Sequence, residues 1–471
     1  MDMHEYIDEA VSQIRARRAR DMVARELEAH IEDQAAYCRA QGMSETEALE
    51  EAVRQMGDPV EVGISMDQIH RPRTDWKMVA MLALLCALGL SLQIAFNREI
   101  LGAQLLEEGN AVALGLFSGV SRILLFVLSV AVGLGVLACV TDYTVILRHA
   151  TWFICLVLFV LWMEGVVIWG DYWLRRAFPY NWPYLLVPLY ASLLYRYRGR
   201  GRRGFAGGIL LIVLLQGIMG MQKGFLAATS SFGLRFTFVL LMMLSTAVVC
   251  RWYGERRRAK LLCLWGGTLL AFCMAALRML LGNGFRAQRI RAILHPYDYA
   301  GGAGYYVVTV RGWLGRCRLW GNPEAAVQFA QSSIGVSYDT SFSQGNGNIL
   351  YLFLRYGIVP GIVVCLIFLG SIGYFLYRCL RQKNQLGRVT GMGCCLVFGA
   401  EFAGAMMGNL GVLPCYANIP FLSYCGTDIG VWAVLMGVVF SIIRYQNLLP
   451  AEHTDRTRRY RYRLRIEKIA L

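Results

Sequence analysis

Between residues 76 and 443 the sequence loses its charge in long blocks, each near the length that crosses a membrane, and this limits the fold more than any other feature. About twenty apolar residues are needed to cross roughly 30 Å of hydrocarbon as a helix. Backbone amides facing lipid must be satisfied within their own segment, so helices are the form such blocks take. Over all 471 residues, 56% are hydrophobic and 17% charged, against about 25% charged in ordinary globular domains. A soluble globular protein is excluded. The expected class is all-α: a polytopic membrane protein with about ten spans and a small helical domain ahead of them.

The spans are expected near 76 to 96, 117 to 139, 150 to 169, 183 to 195, 205 to 221, 235 to 250, 259 to 281, 349 to 377, 389 to 413 and 428 to 443. The connections 196 to 203, 251 to 260 and 377 to 388 are rich in arginine and lysine, which assigns them to the cytoplasm. Both termini are then cytoplasmic, consistent with an even span count and with the basic tail RTRRYRYRLR within 446 to 471. The N-terminus MDMHEYIDEA lacks the basic start and apolar centre of a signal peptide. Tryptophans and tyrosines near span ends, among them Trp76, Trp169, Trp173, Trp182 and Tyr377, are expected to anchor the interface. The expected location is a bacterial plasma membrane.

Residues 1 to 70 read as a compact helical unit. Val23, Leu27 and Ile31 recur at spacing four on a helix from about 18 to 40. Gly42 ends it, and Ser44 with Glu47 three positions on forms a capping box for the next helix. Gly57, Asp58 and Pro59 close that one, and a short helix from about 60 to 69 leads to the membrane. His30 and Asp33 are a single histidine beside acids on an exposed face, which reads as solvated surface rather than a metal site. This segment resembles the helical prefix domain that precedes many membrane proteins of Gram-positive bacteria, on the run QGMSETEALEEAVRQMGDP.

The net charge of +15 needs no nucleic acid. Orientation and attraction to anionic headgroups account for a basic tail beside a membrane. The sequence has no zinc-ligand spacing, no P-loop and no dinucleotide fingerprint. The fourteen cysteines lie mostly within apolar runs, as Cys394 and Cys395 do, where a thiol behaves as a small hydrophobe.

One connection breaks the charge pattern. The stretch 282 to 347, outside on this topology, carries Arg286, Arg289, Arg291, Arg311, Arg316 and Arg318 against Asp298, Glu324 and Asp339. An exported loop that keeps these arginines attracts anions, and the guanidinium fork matches phosphate. Arginines snorkelling to outer-leaflet headgroups would explain the same charge. No large soluble domain accompanies the loop, so its ligand is expected to rise from the membrane as a lipid-linked phosphate.

Two stretches carry a resemblance to a family. The segment 408 to 430, GNLGVLPCYANIPFLSYCGTDIG, is similar to the signature of the FtsW, RodA and SpoVE proteins, the SEDS family, between their last two spans. Asn409, Leu410, Gly411, Leu413, Pro414, Pro420, Phe421, Ser423, Tyr424 and Gly426 stand where the family has them, while Cys425 replaces a glycine. Prolines lack the amide donor and glycines the side chain, so this is expected to be a non-helical re-entrant stretch. The segment 289 to 316 resembles the start of the family's large outside loop through Arg289, Pro296, Gly304, Tyr305, Gly312 and Gly315, with Tyr306 replacing a glutamine.

The resemblance implies peptidoglycan assembly: binding, and polymerising, lipid II beside a class B penicillin-binding protein. It implies no firm cofactor, with a divalent cation left open. The substrate-binding residues it suggests are Arg289, Arg291, Arg311, Arg316, Tyr305, Asn409, Pro420, Ser423 and Tyr424. At the family's catalytic aspartate, counted back from the RYG run, this sequence has Asn346. An amide has almost no basicity at neutral pH, so either Asp339 supplies the base or the chain is a catalytically degenerate scaffold or regulator. The family's acid and lysine near the fourth span are matched here by Tyr184 and Val187. Glu164 and Glu401 lie within spans, where a carboxylate is costly; each is expected to bond a neighbouring helix or to sit at the membrane boundary, the alternative being that it lines a cavity. No internal duplication or broken-helix repeat suggests a transporter.

Overall fold

A computed structural model of the chain describes residues 2–15, 17–70, 74–107, 159, 181–223, 231–281, 285–332, 348–415, 417–423 and 428–446. Its described residues are mostly helical, without strands, and divide into two compact units. One comprises Met1–Asp75 and Ile442–Ala451, and the other Trp76–Ser441 and Glu452–Leu471.

The first unit holds α1 (Met3–Ser12), α2 (Arg17–Ala40), α3 (Glu45–Gln55) and α4 (Pro59–His70). Val23, Leu27 and Ile31 are buried in one cluster with Tyr6, Ile7, Ala10 and Ile14 of the N-terminal segment, as a four-residue repeat on one helix face requires. Gly42 takes a left-handed conformation (φ +98°) that stops α2. The capping box at α3 has both halves: Ser44 Oγ accepts from the Glu47 N–H, and the Ser44 N–H donates to Glu47 Oε2 at 3.2 Å. Helix α1 was not legible as a separate element in the sequence. It is fixed by Tyr6, whose hydroxyl donates to the Met56 carbonyl at 3.3 Å.

In the second unit, α5 (Trp76–Glu107) is followed, beyond 181, by a 3-10 turn (Trp182–Leu185) and α6 (Leu186–Arg196). Next come α7 (Gly201–Lys223), α8 (Ser231–Val249) and α9 (Arg257–Leu280). Among the described residues, five helical stretches are long and apolar enough to cross a membrane: Trp76–Phe96, Phe232–Val249, Arg257–Arg278, Ile358–Leu380 and Gln385–Asn409. This is an all-α polytopic membrane protein. The expected spans 117 to 139 and 150 to 169, and Glu164, lie outside the described residues save for Phe159. Trp182 is buried within the unit, whereas Trp76 and Tyr377 are exposed.

The stretch between α9 and the next span is folded. It contains α10 (Phe285–Leu294), a 3-10 turn (Pro296–Tyr299), α11 (Tyr305–Leu314), α12 (Pro323–Gln331) and α13 (Asn348–Tyr356). The expected span 349 to 377 is two helices, α13 and α14 (Ile358–Leu380), parted at Gly357. Gly357 has φ +108°, and a Cβ there would lie 2.3 Å from the Leu319 carbonyl oxygen, so only glycine passes. Helix α13 packs with α12 and Phe329 in a small core that includes Phe96 at the end of the first span. The Phe96 and Tyr351 rings meet edge to face at 4.7 Å. Apolar composition cannot separate such a helix, buried against loop helices, from the beginning of a span.

Helix α15 (Gln385–Asn409) packs against α6, α8 and α14 and is buried along most of its length. The chain is non-helical from 411 to 423 over the described positions, as the prolines and glycines there require, and α16 (Asp428–Arg444) follows.

Candidate functional site

The helices between 285 and 356 and the non-helical stretch meet at the C-terminal end of α15. Asn409, the last residue of that helix, is buried. Its Nδ2 donates to the Ala405 carbonyl at 2.8 Å, and its Oδ1 accepts from the Leu350 N–H at 3.2 Å. Leu350 lies in the first turn of α13, where amides have no partner within the helix. One asparagine thus closes its own helix and caps the last helix of the loop. On the other side, Arg311 Nε donates to the Gly411 carbonyl at 3.0 Å, and the Arg311 guanidinium carbon stands 6.0 Å from the centre of the Tyr297 ring. Arg311 therefore ties α11 and the Pro296 turn to the stretch that follows α15.

The stretch itself is tightly wound. Gly408 lies so close beneath the Cys415 carbonyl that a Cβ would come within 2.3 Å of its oxygen. Ser423 Oγ accepts from the Ile419 N–H at 3.0 Å, while the Ser423 N–H donates to the Ile419 carbonyl at 2.9 Å. This reciprocal pair closes a turn over buried Pro420 and Phe421. Phe421, fully buried, holds a left-handed φ of +65°, which a bulky residue adopts only where its surroundings over-determine it.

A charged cluster lies inside the helical bundle. Arg235 of α8 donates through Nε to Glu401 Oε1 of α15 at 2.8 Å and through Nη1 to the Cys415 thiol at 3.1 Å. The Tyr184 hydroxyl donates to the same Glu401 oxygen. Glu401 and Tyr184 are both 0% exposed. One carboxylate oxygen thereby joins α8, α15 and the 3-10 turn, and Arg235 extends the link to the non-helical stretch through Cys415. A second buried contact joins Asp428, at the start of α16, to Asn181: the Asn181 N–H and Nδ2 donate to its two carboxylate oxygens at 2.7 and 2.9 Å. Asp428 thus sits where the dipole at a helix N-terminus favours an acid.

No protein-family model and no curated protein sequence matches this chain. Solved structures do. A chain of a peptidoglycan synthase complex, described as coordinating polymerization and crosslinking, matches at 16% identity and a TM-score of 0.56, covering 79% of this chain and 98% of that one. A variant of the Thermus thermophilus rod shape-determining protein RodA matches at 14% identity and a TM-score of 0.43, over 79% of this chain and 97% of that one. The fold is the SEDS fold.

On that fold the residues singled out in the sequence are distributed unevenly. Asn409, Pro420 and Ser423 are buried at the junction and hold it together. Tyr305, half-exposed, is the first residue of α11, the helix that also carries Arg311. Arg316 is exposed, its guanidinium carbon 4.5 Å from the Trp313 ring centre and its Nη1 donating to Gln328 Oε1 at 3.1 Å. Arg291 is exposed on α10, the helix that also carries Arg289. Asp339, Asn346 and Tyr424 lie outside the described residues.

Sequence reasoning missed Arg235 as a partner. The sixth span was set to begin at Arg235, yet α8 starts at Ser231 and the guanidinium is buried within the bundle. An arginine inside an otherwise apolar run, paired with a single acid in another span, was the available signal. The expectation that Glu401 bonds a neighbouring helix holds, and Tyr184 is a second partner of the same carboxylate.

Proposed function

We propose that this chain is a member of the FtsW, RodA and SpoVE family that acts in peptidoglycan assembly at a bacterial plasma membrane, binding lipid II on its outer face beside a class B penicillin-binding protein. The observation that carries this reading is the bond from Arg311 to the Gly411 carbonyl. It joins the arginine-bearing loop to the family-like stretch, so the two segments with separate resemblances form one site. With Nε engaged, the Nη groups of Arg311 are the edge that can meet a pyrophosphate, in the paired geometry guanidinium favours. Arg289, Arg291 and Arg316 lie on the same loop and add to its positive field.

Transfer of the glycan needs a base. The sugar hydroxyl attacks the anomeric carbon as the bond to the prenyl pyrophosphate breaks, and a carboxylate must take the hydroxyl proton. In this sequence the candidate is Asp339, because Asn346 cannot accept that proton. The second reading, a scaffold that binds lipid II or regulates the penicillin-binding protein without transfer, is favoured specifically by Asn346.

Purified protein given lipid II and a divalent cation separates these readings. Polymer that is abolished in Asp339→Ala assigns the base to Asp339. Polymer from Asn346→Asp but none from the natural chain assigns a degenerate enzyme. Lipid II binding without polymer from any variant assigns the scaffold. Absence of lipid II binding in every case overturns the proposal.

A further inference from the structure

Among the described residues of the loop, the most exposed aromatic sits at a rigid turn. Trp320 is 77% exposed and its neighbour Leu319 is 62% exposed, in a segment the lipid II reading leaves unused. This turn is bonded to the beginning of a span: the Ile358 N–H donates to the Arg318 carbonyl at 3.0 Å and the Val359 N–H to the Leu319 carbonyl at 3.3 Å. The Asn322 N–H donates to the Leu354 carbonyl at 2.6 Å, which fixes the far side. Gly321 and Gly357, both at positive φ, cross here, and a Cβ on Gly357 would stand 2.7 Å from the Trp320 Cα. Leu319 and Trp320 are therefore displayed by a backbone with little freedom.

Their height follows from those bonds. Ile358 is the first residue of α14, whose exposed face continues through Val359, Ile362, Val363 and Leu366. That face is apolar and belongs to lipid. A turn bonded to the first amides of a span lies where the hydrocarbon ends, the depth at which tryptophan is enriched. The exposed side chain of Arg318 adds a cation where anionic phosphates lie.

We propose that Leu319 and Trp320 form an interfacial anchor that enters the headgroup–acyl boundary of the leaflet in which α14 begins, with Arg318 against anionic headgroups. Such an anchor fixes the loop's depth relative to the bilayer, because the same turn is bonded to α13 and α14. The occupant is the lipid surface itself, since the apolar patch is continuous with the lipid-facing side of the span.

The test uses full-length protein in vesicles of phosphatidylcholine and phosphatidylglycerol, with bromine on the acyl chains near the headgroup and no lipid-linked precursor present. The emission lost in Trp320→Phe reports Trp320. The anchor predicts that this emission is quenched by the brominated lipid and spared by aqueous iodide. Quenching by iodide, or shielding from both quenchers as a covering protein surface would give, overturns it. Arg318→Gln is expected to weaken the bromine quenching of Trp320 in anionic vesicles and to leave it unchanged in pure phosphatidylcholine. Equal behaviour in both vesicle types would remove the headgroup contact from the proposal.

Discussion

At the scale of single residues, the decisive contact is the one between Glu401 and Arg235. Removing one member of a buried ion pair leaves the other charge unpaired in a medium that solvates it poorly, at a cost of about 3–5 kcal/mol. Glu401→Gln and Arg235→Met are each expected to lower stability by roughly that amount, while the double variant should lose clearly less than the sum. Thermal unfolding in detergent, arranged as a double-mutant cycle, measures the difference; strictly additive losses would show that the pair is not coupled. Tyr184→Phe removes a donor to the same carboxylate and should cost about 1–3 kcal/mol. Asn409 and Ser423 stood out in the sequence through the fixed spacing of their motif, as expected ligand contacts; in the fold both are buried and bond backbone groups. Arg235 was not, because hydropathy locates where a span can lie but not which distant acid a buried cation meets. Tyr184 was read as a lost charge; in the fold it remains polar and bonds the acid of another helix.

At the scale of elements, one long-range contact and one local cap decide boundaries. Gly357 separates α13 from α14 only because its φ of +108° and the Leu319 carbonyl leave no room for a side chain. Glycine-to-alanine replacement stabilises by about 0.4–1 kcal/mol where the backbone tolerates it, whereas Gly357→Ala should destabilise by more than that, and hydrogen exchange should rise at the Ile358 and Val359 amides; unchanged exchange there would contradict the clamp. The capping box gives a pH dependence. The Ser44 hydroxyl and then its backbone N–H hold the Glu47 carboxyl below the usual range. A depressed acid stabilises the fold above its unfolded pKa, and that contribution is lost as pH falls through the folded value. Exchange at the first turn of α3, corrected for intrinsic rate, should therefore quicken below about pH 4, and Ser44→Ala should show the quicker exchange already at neutral pH. This cap was readable because it is local. The break at Gly357 was not, since its cause lies across the chain at Leu319, and the apolar run continues on both sides of it.

At the scale of the whole molecule, hydropathy and basic connections were enough to give an all-α membrane protein, because the solvent imposes them on every span. They could not show that the arginine-bearing loop is folded into helices and docked on the stretch after α15, which depends on side chains such as Asn409 and Arg311. The central claim is that this docked loop faces the exterior, where a lipid-linked pyrophosphate can reach it. The natural Cys317 is a poor reporter, because burial pushes its thiol up to about 11 and the thiolate is the reactive form. Gly302 is better placed: it is exposed, and a Cβ there meets nothing within 4 Å. Intact cells producing the Gly302→Cys chain should be labelled by a membrane-impermeant maleimide without permeabilisation, beyond the level of the natural chain. Labelling that appears only once the membrane is opened would place the loop in the cytoplasm and contradict the proposed role in cell-wall assembly.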